Sequence, residues 1–237
     1  MVAVDASTPS GSVALFDGGE LAAELTFHRG GRHSETLLTA IDTICTMSGV
    51  VIGEVDAYAV TRGPGSFTGL RVGISTVKGL AWPSGSDVIG VSTLKSLAMN
   101  LPCADGIIAP VFNARRGELY GGIYRWEQGC LEVVADDCAA APEVFIAQVA
   151  EALSTGDADD PIFLGDGIDI CEALIEERLP SARCAPRLLW SIRASNVGRV
   201  AIESDETRGD ASTILPLYKR DMDRLFNGTR GGREQVS

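Results

Sequence analysis

The chain has 237 residues, with 20 Lys+Arg against 32 Asp+Glu and a formal net charge of −12. A hydrophobic content of 45% with 22% charged residues is that of a globular protein and excludes wholesale disorder; a chain this long buries enough surface to hold a core without disulfides or metal. The acidity argues against a protein that grips nucleic acid strongly on its own, because phosphate neutralisation needs clustered Lys and Arg.

The chain opens with strand, turn, strand, turn, strand. Met1–Asp5, Ser12–Phe16 and Leu21–Phe27 are apolar runs, separated by Ser7-Thr8-Pro9-Ser10-Gly11 and Asp17-Gly18-Gly19. Arg29–Arg32 breaks this meander. A helix over 34–48 follows, with Ser34 placed as N-cap, Leu37, Leu38, Ile41, Ile44 and Cys45 along one apolar face, and Gly49 closing it. Asp56–Thr61 reads as a strand, Gly63-Pro64-Gly65 as a sharp turn, Phe67–Trp82 as a helix, Asp87–Val91 as a strand, and Ser92 as the cap of a third helix through Leu101. The order βββαβαβα predicts one mixed α/β sheet. Pro102-Cys103-Ala104-Asp105-Gly106 marks a boundary. Strands then restart at Ile107–Asn113, Glu118–Trp126 and Leu131–Ala135. A helix at Pro142–Leu153, an acidic loop at Gly156–Pro161, a short strand at Ile162–Leu164, a helix opening at Gly165-Asp166-Gly167 and a helix at Arg193–Ser204 follow. The expected division is a first half over 1–102, a reduced second half over 103–218 whose last helix is free to return to the first half, and a polar tail over 219–237.

The six cysteines form no C-x-x-C pair and read as reduced, mostly buried thiols of a cytosolic protein. Met1–Ala6 has no basic n-region, and no apolar run reaches the roughly 18–20 residues of a membrane span. The expectation is a soluble, cytoplasmic protein without a membrane partner.

The strongest local motif is Gly63-Pro64-Gly65-Ser66-Phe67-Thr68-Gly69-Leu70-Arg71-Val72-Gly73, entered by a strand and left by a helix. Its glycines serve either close backbone packing or a phosphate at the helix N-terminus; it is not a P-loop, since no G-x-x-x-x-G-K-[ST] is present. At the first hairpin, Asp5, Ser7 and Thr8 either hold a hydrated magnesium ion and nucleotide phosphates or satisfy their own turn. His28 and His33 lack companions for a metal site, so none is expected. There is no H-E-x-x-H or G-x-S-x-G either, so no catalytic residues are assigned. Arg115-Arg116 sits on a hairpin tip, either solvated or part of an interface.

The glycine-rich segment, continuing to Lys78-Gly79-Leu80-Ala81, resembles the signature of the bacterial TsaB (YeaZ) family. Asp5-Ala6-Ser7-Thr8-Pro9, Arg32-His33-Ser34-Glu35-Thr36-Leu37-Leu38, Gly90-Val91-Ser92-Thr93-Leu94, Asn113-Ala114-Arg115-Arg116-Gly117-Glu118-Leu119-Tyr120 and Pro216-Leu217-Tyr218-Lys219-Arg220 stand around it in the family's order. Ala6, Thr39 and Lys219 depart from its commoner residues. The resemblance implies an actin-like, Hsp70-like ATPase (ASKHA) α/β fold of two RNase H-like halves with mixed sheets. It also implies a non-catalytic subunit for tRNA N6-threonylcarbamoyladenosine modification that binds and activates the TsaD transferase. It further implies TsaE as a partner, a homodimer when the chain is alone, and tRNA met only through the complex. The expectation is no cofactor in this subunit itself, with ATP or ADP possible at the complex interface. TsaD carries a paired-histidine metal motif where this chain has Gly90-Val91-Ser92-Thr93-Leu94-Lys95-Ser96-Leu97, which supports a degenerate scaffold. The partner surface is expected on the first two helices, at Leu37, Leu38, Ile41, Gly69, Val72, Gly73 and Thr76, so that Gly73→Arg or Leu38→Asp should stay folded and lose TsaD. Asp5, Ser7 and Thr8 are then a vestigial nucleotide site. The alternative is an active ATPase or kinase of the same fold using those three residues; a peptidase lacks any nucleophile–base pair or metal set.

Overall fold

The computed structural model describes residues 1–28, 33–102, 104, 106–154, 160–203, 207–209 and 212–217, with backbone alone at 33–35, 207 and 208. Ser34 as a cap, the break at 29–32, Cys103, most of the acidic loop, the closing motif from Tyr218 and the tail therefore lie outside what is described.

Strands β1 (Val2–Asp5), β2 (Ser10–Asp17) and β3 (Glu20–His28) form an antiparallel meander, with Val4 opposite Val13 and Ala14 opposite Glu24. Helix α1 (His33–Met47) leads through a 3₁₀ turn at Ile52–Glu54 to β4 (Ala57–Gly63), which lies parallel to β1. Helix α2 (Phe67–Ser84) and β5 (Asp87–Ser92) complete a βαβ crossover. A parallel strand covered on both faces must be apolar throughout, which is why Val2–Val4 and Tyr58–Val60 have no accessible surface. Short helix α3 (Thr93–Ala98), capped by Ser92 Oγ accepting from the Lys95 N–H at 3.1 Å, carries the chain to the second half.

There β6 (Ile107–Arg115), β7 (Glu118–Glu127) and β8 (Cys130–Ala140) form a second meander. Helix α4 (Pro142–Ser154), β9 (Ile162–Leu164), a 3₁₀ turn at Asp166–Ile170, α5 (Glu172–Arg178) and β10 (Arg183–Cys184) follow. Helix α6 (Ala194–Glu203) and β11 (Thr207–Gly209) end the described fold. The sheets run β11-β5-β4-β1-β2-β3 and β10-β9-β6-β7-β8. Leaving β11 aside, the second order repeats the first strand for strand. Two such halves make an actin-like α/β fold. Relative to the elements expected from sequence, α3 is three residues shorter, β8 extends to Ala140, the Gly165 segment opens with a 3₁₀ turn, and β10 and β11 are additional.

The two faces of the first sheet carry different side chains. Val2, Val4, Val13, Leu15 and Val60 meet Leu37, Ile41, Ile44, Ile74 and Val77 of α1 and α2. On the other face the residues are small: Ala3, Ala14 and Ala59 let α6 approach with Val197, Val200 and Ala201. A Cβ on Gly198 would collide with the Phe16 ring, so glycine is required at that crossing. The same cluster includes Leu94 and Leu97 of α3, and Ile108, Phe112, Tyr124 and Leu164 of the second sheet. The halves therefore share one core, and each fully buried leucine in it contributes about 1.5–3 kcal/mol. The outer face of the second sheet has its own core, in which Val111, Leu119 and Phe163 meet Phe145, Ile146 and Val149 of α4.

Candidate functional site

Asp5 ends β1 at the centre of the first sheet and has no accessible surface. Its Oδ1 accepts from the Ser7 hydroxyl at 2.6 Å, the Ser7 N–H at 3.1 Å and the Thr61 hydroxyl at 2.7 Å. Ser7 and Thr61 are buried as well. The Thr8 hydroxyl donates to the Ser10 carbonyl at 3.0 Å. Every hydroxyl of the predicted set thus donates within the chain.

The glycine-rich motif closes over this hairpin. The Ser66 N–H donates to the Ser7 carbonyl at 2.8 Å, and Ser66 Oγ caps α2 by accepting from the Gly69 N–H at 3.3 Å. A Cβ on Gly65 would lie 2.8 Å from the Ser7 carbonyl oxygen, and one on Gly69 would collide with the Ala6 carbonyl. Gly63, at φ +133°, faces the Leu217 carbonyl, while the Leu217 N–H donates to the Arg62 carbonyl at 2.6 Å. These glycines let the β1–β2 turn, the start of α2 and residue 217 lie directly on one another. A hydrated magnesium ion needs an accessible carboxylate oxygen. Asp5 offers none, so the residues present do not fit a metal–nucleotide site.

The seven residues expected at a partner surface divide sharply. Leu37, Ile41, Gly69 and Gly73 are buried within the chain itself, since they lie on the faces of α1 and α2 that meet the sheet. A Cβ on Gly73 would stand in ordinary contact with the core, 3.5 Å from Val60 Cγ2 and 3.6 Å from Ala6 Cβ. These four positions are corrected from surface to core. Leu38 is 50% exposed, and Val72 and Thr76 are half-buried. With Thr68, Ser75 and Gly79, which are exposed, they make an outward face of small and apolar residues on packed helices. At its N-terminal end the Arg71 guanidinium lies 4.0 Å from the centroid of the exposed Phe67 ring.

Sequence reasoning missed the residues that tie distant segments together. Thr61, on the neighbouring strand, completes the Asp5 network from 56 residues away. Ser12 Oγ accepts from the Ala194 N–H at 3.0 Å, and Glu24 accepts from the Ser195 N–H at 2.8 Å and from Arg193. Both thereby serve the start of α6 from the first meander. Burial pushes the Glu24 carboxyl up, but the Ser195 and Arg193 hydrogen bonds outweigh it and hold it below its ordinary value. Asp137 on β8 accepts from Ser92 Oγ at 2.6 Å and from the Tyr124 hydroxyl, linking the halves. No local pattern announces any of these. Cys45 and Cys171 are buried as expected, but Cys130 and Cys184 are exposed, because they stand at the start of edge strand β8 and in the two-residue edge strand β10. His28 accepts or donates through Nδ1 with Ser10 Oγ at 3.0 Å.

A family model described as TsaD, tRNA N6-adenosine threonylcarbamoyltransferase, matches residues 29–220. The chain is 32% identical to the tRNA threonylcarbamoyladenosine biosynthesis protein TsaB of Bacillus subtilis over 180 residues, 76% of each protein. The chain belongs to the TsaB (YeaZ) family. The TsaB of Haemophilus influenzae is 29% identical over 93% of each chain. The solved YeaZ structure from Pseudomonas aeruginosa superposes with a TM-score of 0.74 at 29% identity, covering 92% of this chain and 98% of that one. The glycine-rich signature by which the chain resembles TsaB is thus the segment that packs α2 onto the first hairpin. Among the described residues no helix is long and apolar enough to cross a membrane.

Proposed function

We propose that this chain is a TsaB-type scaffold subunit in tRNA N6-threonylcarbamoyladenosine biosynthesis, seated on a TsaD transferase through the exposed face of α1 and α2. The observation that carries the scaffold reading is the state of Asp5: its carboxylate is wholly buried and committed to Ser7 and Thr61. A carboxylate held in this way organises the hairpin and cannot meet a substrate. The outward face bearing Leu38, Val72 and Thr76 suits a helix-packing partner, because small residues let backbones approach closely. The same face serves self-association when the chain is alone, with TsaE and tRNA joining through the complex in the cytoplasm. This subunit supplies no cofactor, and any ATP or ADP lies against TsaD.

The test is a reconstituted tRNA modification assay with and without the chain, alongside co-purification with TsaD. Leu38→Asp and Thr76→Arg are expected to stay folded, lose TsaD and abolish the modification. If both variants bind TsaD as the wild type does, the assigned face is wrong. If modification proceeds equally without the chain, the scaffold role is wrong. ATP hydrolysis by the chain alone, abolished by Asp5→Asn, would replace it with the enzyme reading.

A further inference from the structure

The repeated strand order places the β6–β7 hairpin in the second half where the β1–β2 hairpin stands in the first. The first hairpin carries Asp5, Ser7 and Thr8; its counterpart carries Asn113, Arg115 and Arg116. Arg115 pairs with Glu118, leaving Arg116-Gly117 as a two-residue loop. Arg115, Arg116 and Gly117 have φ of 67°, 56° and 78°, three left-handed residues in succession. Two-residue loops of this hand favour asparagine or aspartate before glycine, and a bulky non-glycine residue in that region costs about 1–2 kcal/mol. The neighbouring hairpin tolerates one such residue, Gln128 before Gly129. The Arg115-Arg116 tip contains two, against that local preference, and both side chains are exposed.

The tip is nonetheless held firmly. The Arg115 N–H donates to Asn113 Oδ1 at 2.8 Å, and the Asn113 N–H donates to Asp166 Oδ1 at 2.9 Å. Arg116 makes no hydrogen bond or ion pair with the described residues. Nothing lies within 4 Å of a Cβ on Gly117, so the tip projects into open space. An open tip without enclosing walls cannot sequester a small nucleotide, which needs a concave site. It can meet an extended polyanion, and guanidinium forks match phosphate oxygens bidentately.

We propose that Arg115 and Arg116 form a contact for the phosphate backbone of the RNA substrate. This rests on the reading that the chain works in a tRNA-modifying complex, and goes beyond it in giving this acidic subunit a direct, local grip on that RNA. A chain of net charge −12 repels RNA at long range, so the contact is short-ranged and strongly salt-dependent.

The test uses the chain in its complex with TsaD and measures tRNA affinity against salt concentration by fluorescence anisotropy. The double variant Arg115→Asn/Arg116→Asn removes both charges while suiting the left-handed backbone, so the fold is retained. The expected result is a slope of log affinity against log salt that is shallower by about 1 per arginine, with ADP affinity of the same complex unchanged. Arg116→Glu should weaken tRNA binding further than Arg116→Asn. An unchanged tRNA slope overturns the proposal, and so does a loss confined to ADP, which would make the tip a nucleotide contact. Failure of the scaffold reading is distinguishable, because the wild-type chain would then fail to form the complex before any arginine is changed.

Discussion

Replacing Asp5 with alanine removes the acceptor of three hydrogen bonds at a place water does not reach. The Ser7 N–H, the Ser7 hydroxyl and the Thr61 hydroxyl would be left as buried donors, on residues no more than 2% exposed. Each orphaned group costs about 1–3 kcal/mol. Part of this is offset because a buried charge no longer has to be desolvated and because hydroxyls can rotate toward other acceptors. The net expectation for Asp5→Ala is a loss of about 2–4 kcal/mol, a large share of the roughly 5–15 kcal/mol that holds a native domain. At about 2–4 °C per kcal/mol for a chain of this size, Tm should fall by about 5–15 °C. Asp5→Asn keeps an oxygen acceptor in place and should cost only about 1 kcal/mol. Thermal unfolding followed by circular dichroism measures both, and the modification assay is run below both midpoints. Under the scaffold reading both variants support modification while folded. An Asp5→Ala midpoint within a degree or so of wild type would refute the structural account. An Asp5→Asn variant that holds TsaD but abolishes modification would show that the carboxylate acts chemically.

Glycines 69 and 79, both on α2, should respond oppositely to alanine. Gly69→Ala drives its methyl into the Ala6 carbonyl and should destabilise by more than about 2 kcal/mol, whereas Gly79 has nothing within 4 Å and Gly79→Ala should stabilise by about 0.5–1 kcal/mol; chemical denaturation distinguishes them. The Glu24 carboxyl is lowered from 4.5, so its stabilising contribution is present above that pH and is lost as pH falls through the folded value. Glu24→Gln should therefore lower Tm at neutral pH, with the gap to wild type closing as the pH falls through the lowered Glu24 value in a series of melts. Among the thiols, burial pushes Cys171 up to about 12, and Cys45 is also buried. Mass spectrometry after brief maleimide treatment at neutral pH should find Cys130 labelled and both of these protected; a labelled Cys171 would place it wrongly.

The elements themselves were legible because short-range rules govern them. Turn glycines, the Ser66 and Ser92 caps, and continuous apolar runs in β1 and β4 all act through neighbours in sequence. The glycine-rich motif was legible as a motif, but its purpose was not. Packing and phosphate binding both require glycine, and the choice depended on the carbonyls of Ala6 and Ser7 lying against Gly69 and Gly65. The seven residues read as a partner surface were small or apolar residues of the first two helices, a character that does not say what covers them. The sheet covers Leu37, Ile41, Gly69 and Gly73, and leaves Leu38 outside.

By itself, then, the sequence determined an acidic α/β chain of two strand-led halves, the place of its glycine-rich turn, and its family resemblance. Only the tertiary structure decided that Asp5 is spent on Ser7 and Thr61. It alone also showed that α6 is capped by Ser12 and Glu24 across more than 160 residues, and that alanines on one sheet face admit that helix. The physical reason is the same in each case. A hydrogen bond or a close approach between distant segments depends on which surfaces meet, and no local pattern of residues encodes that meeting.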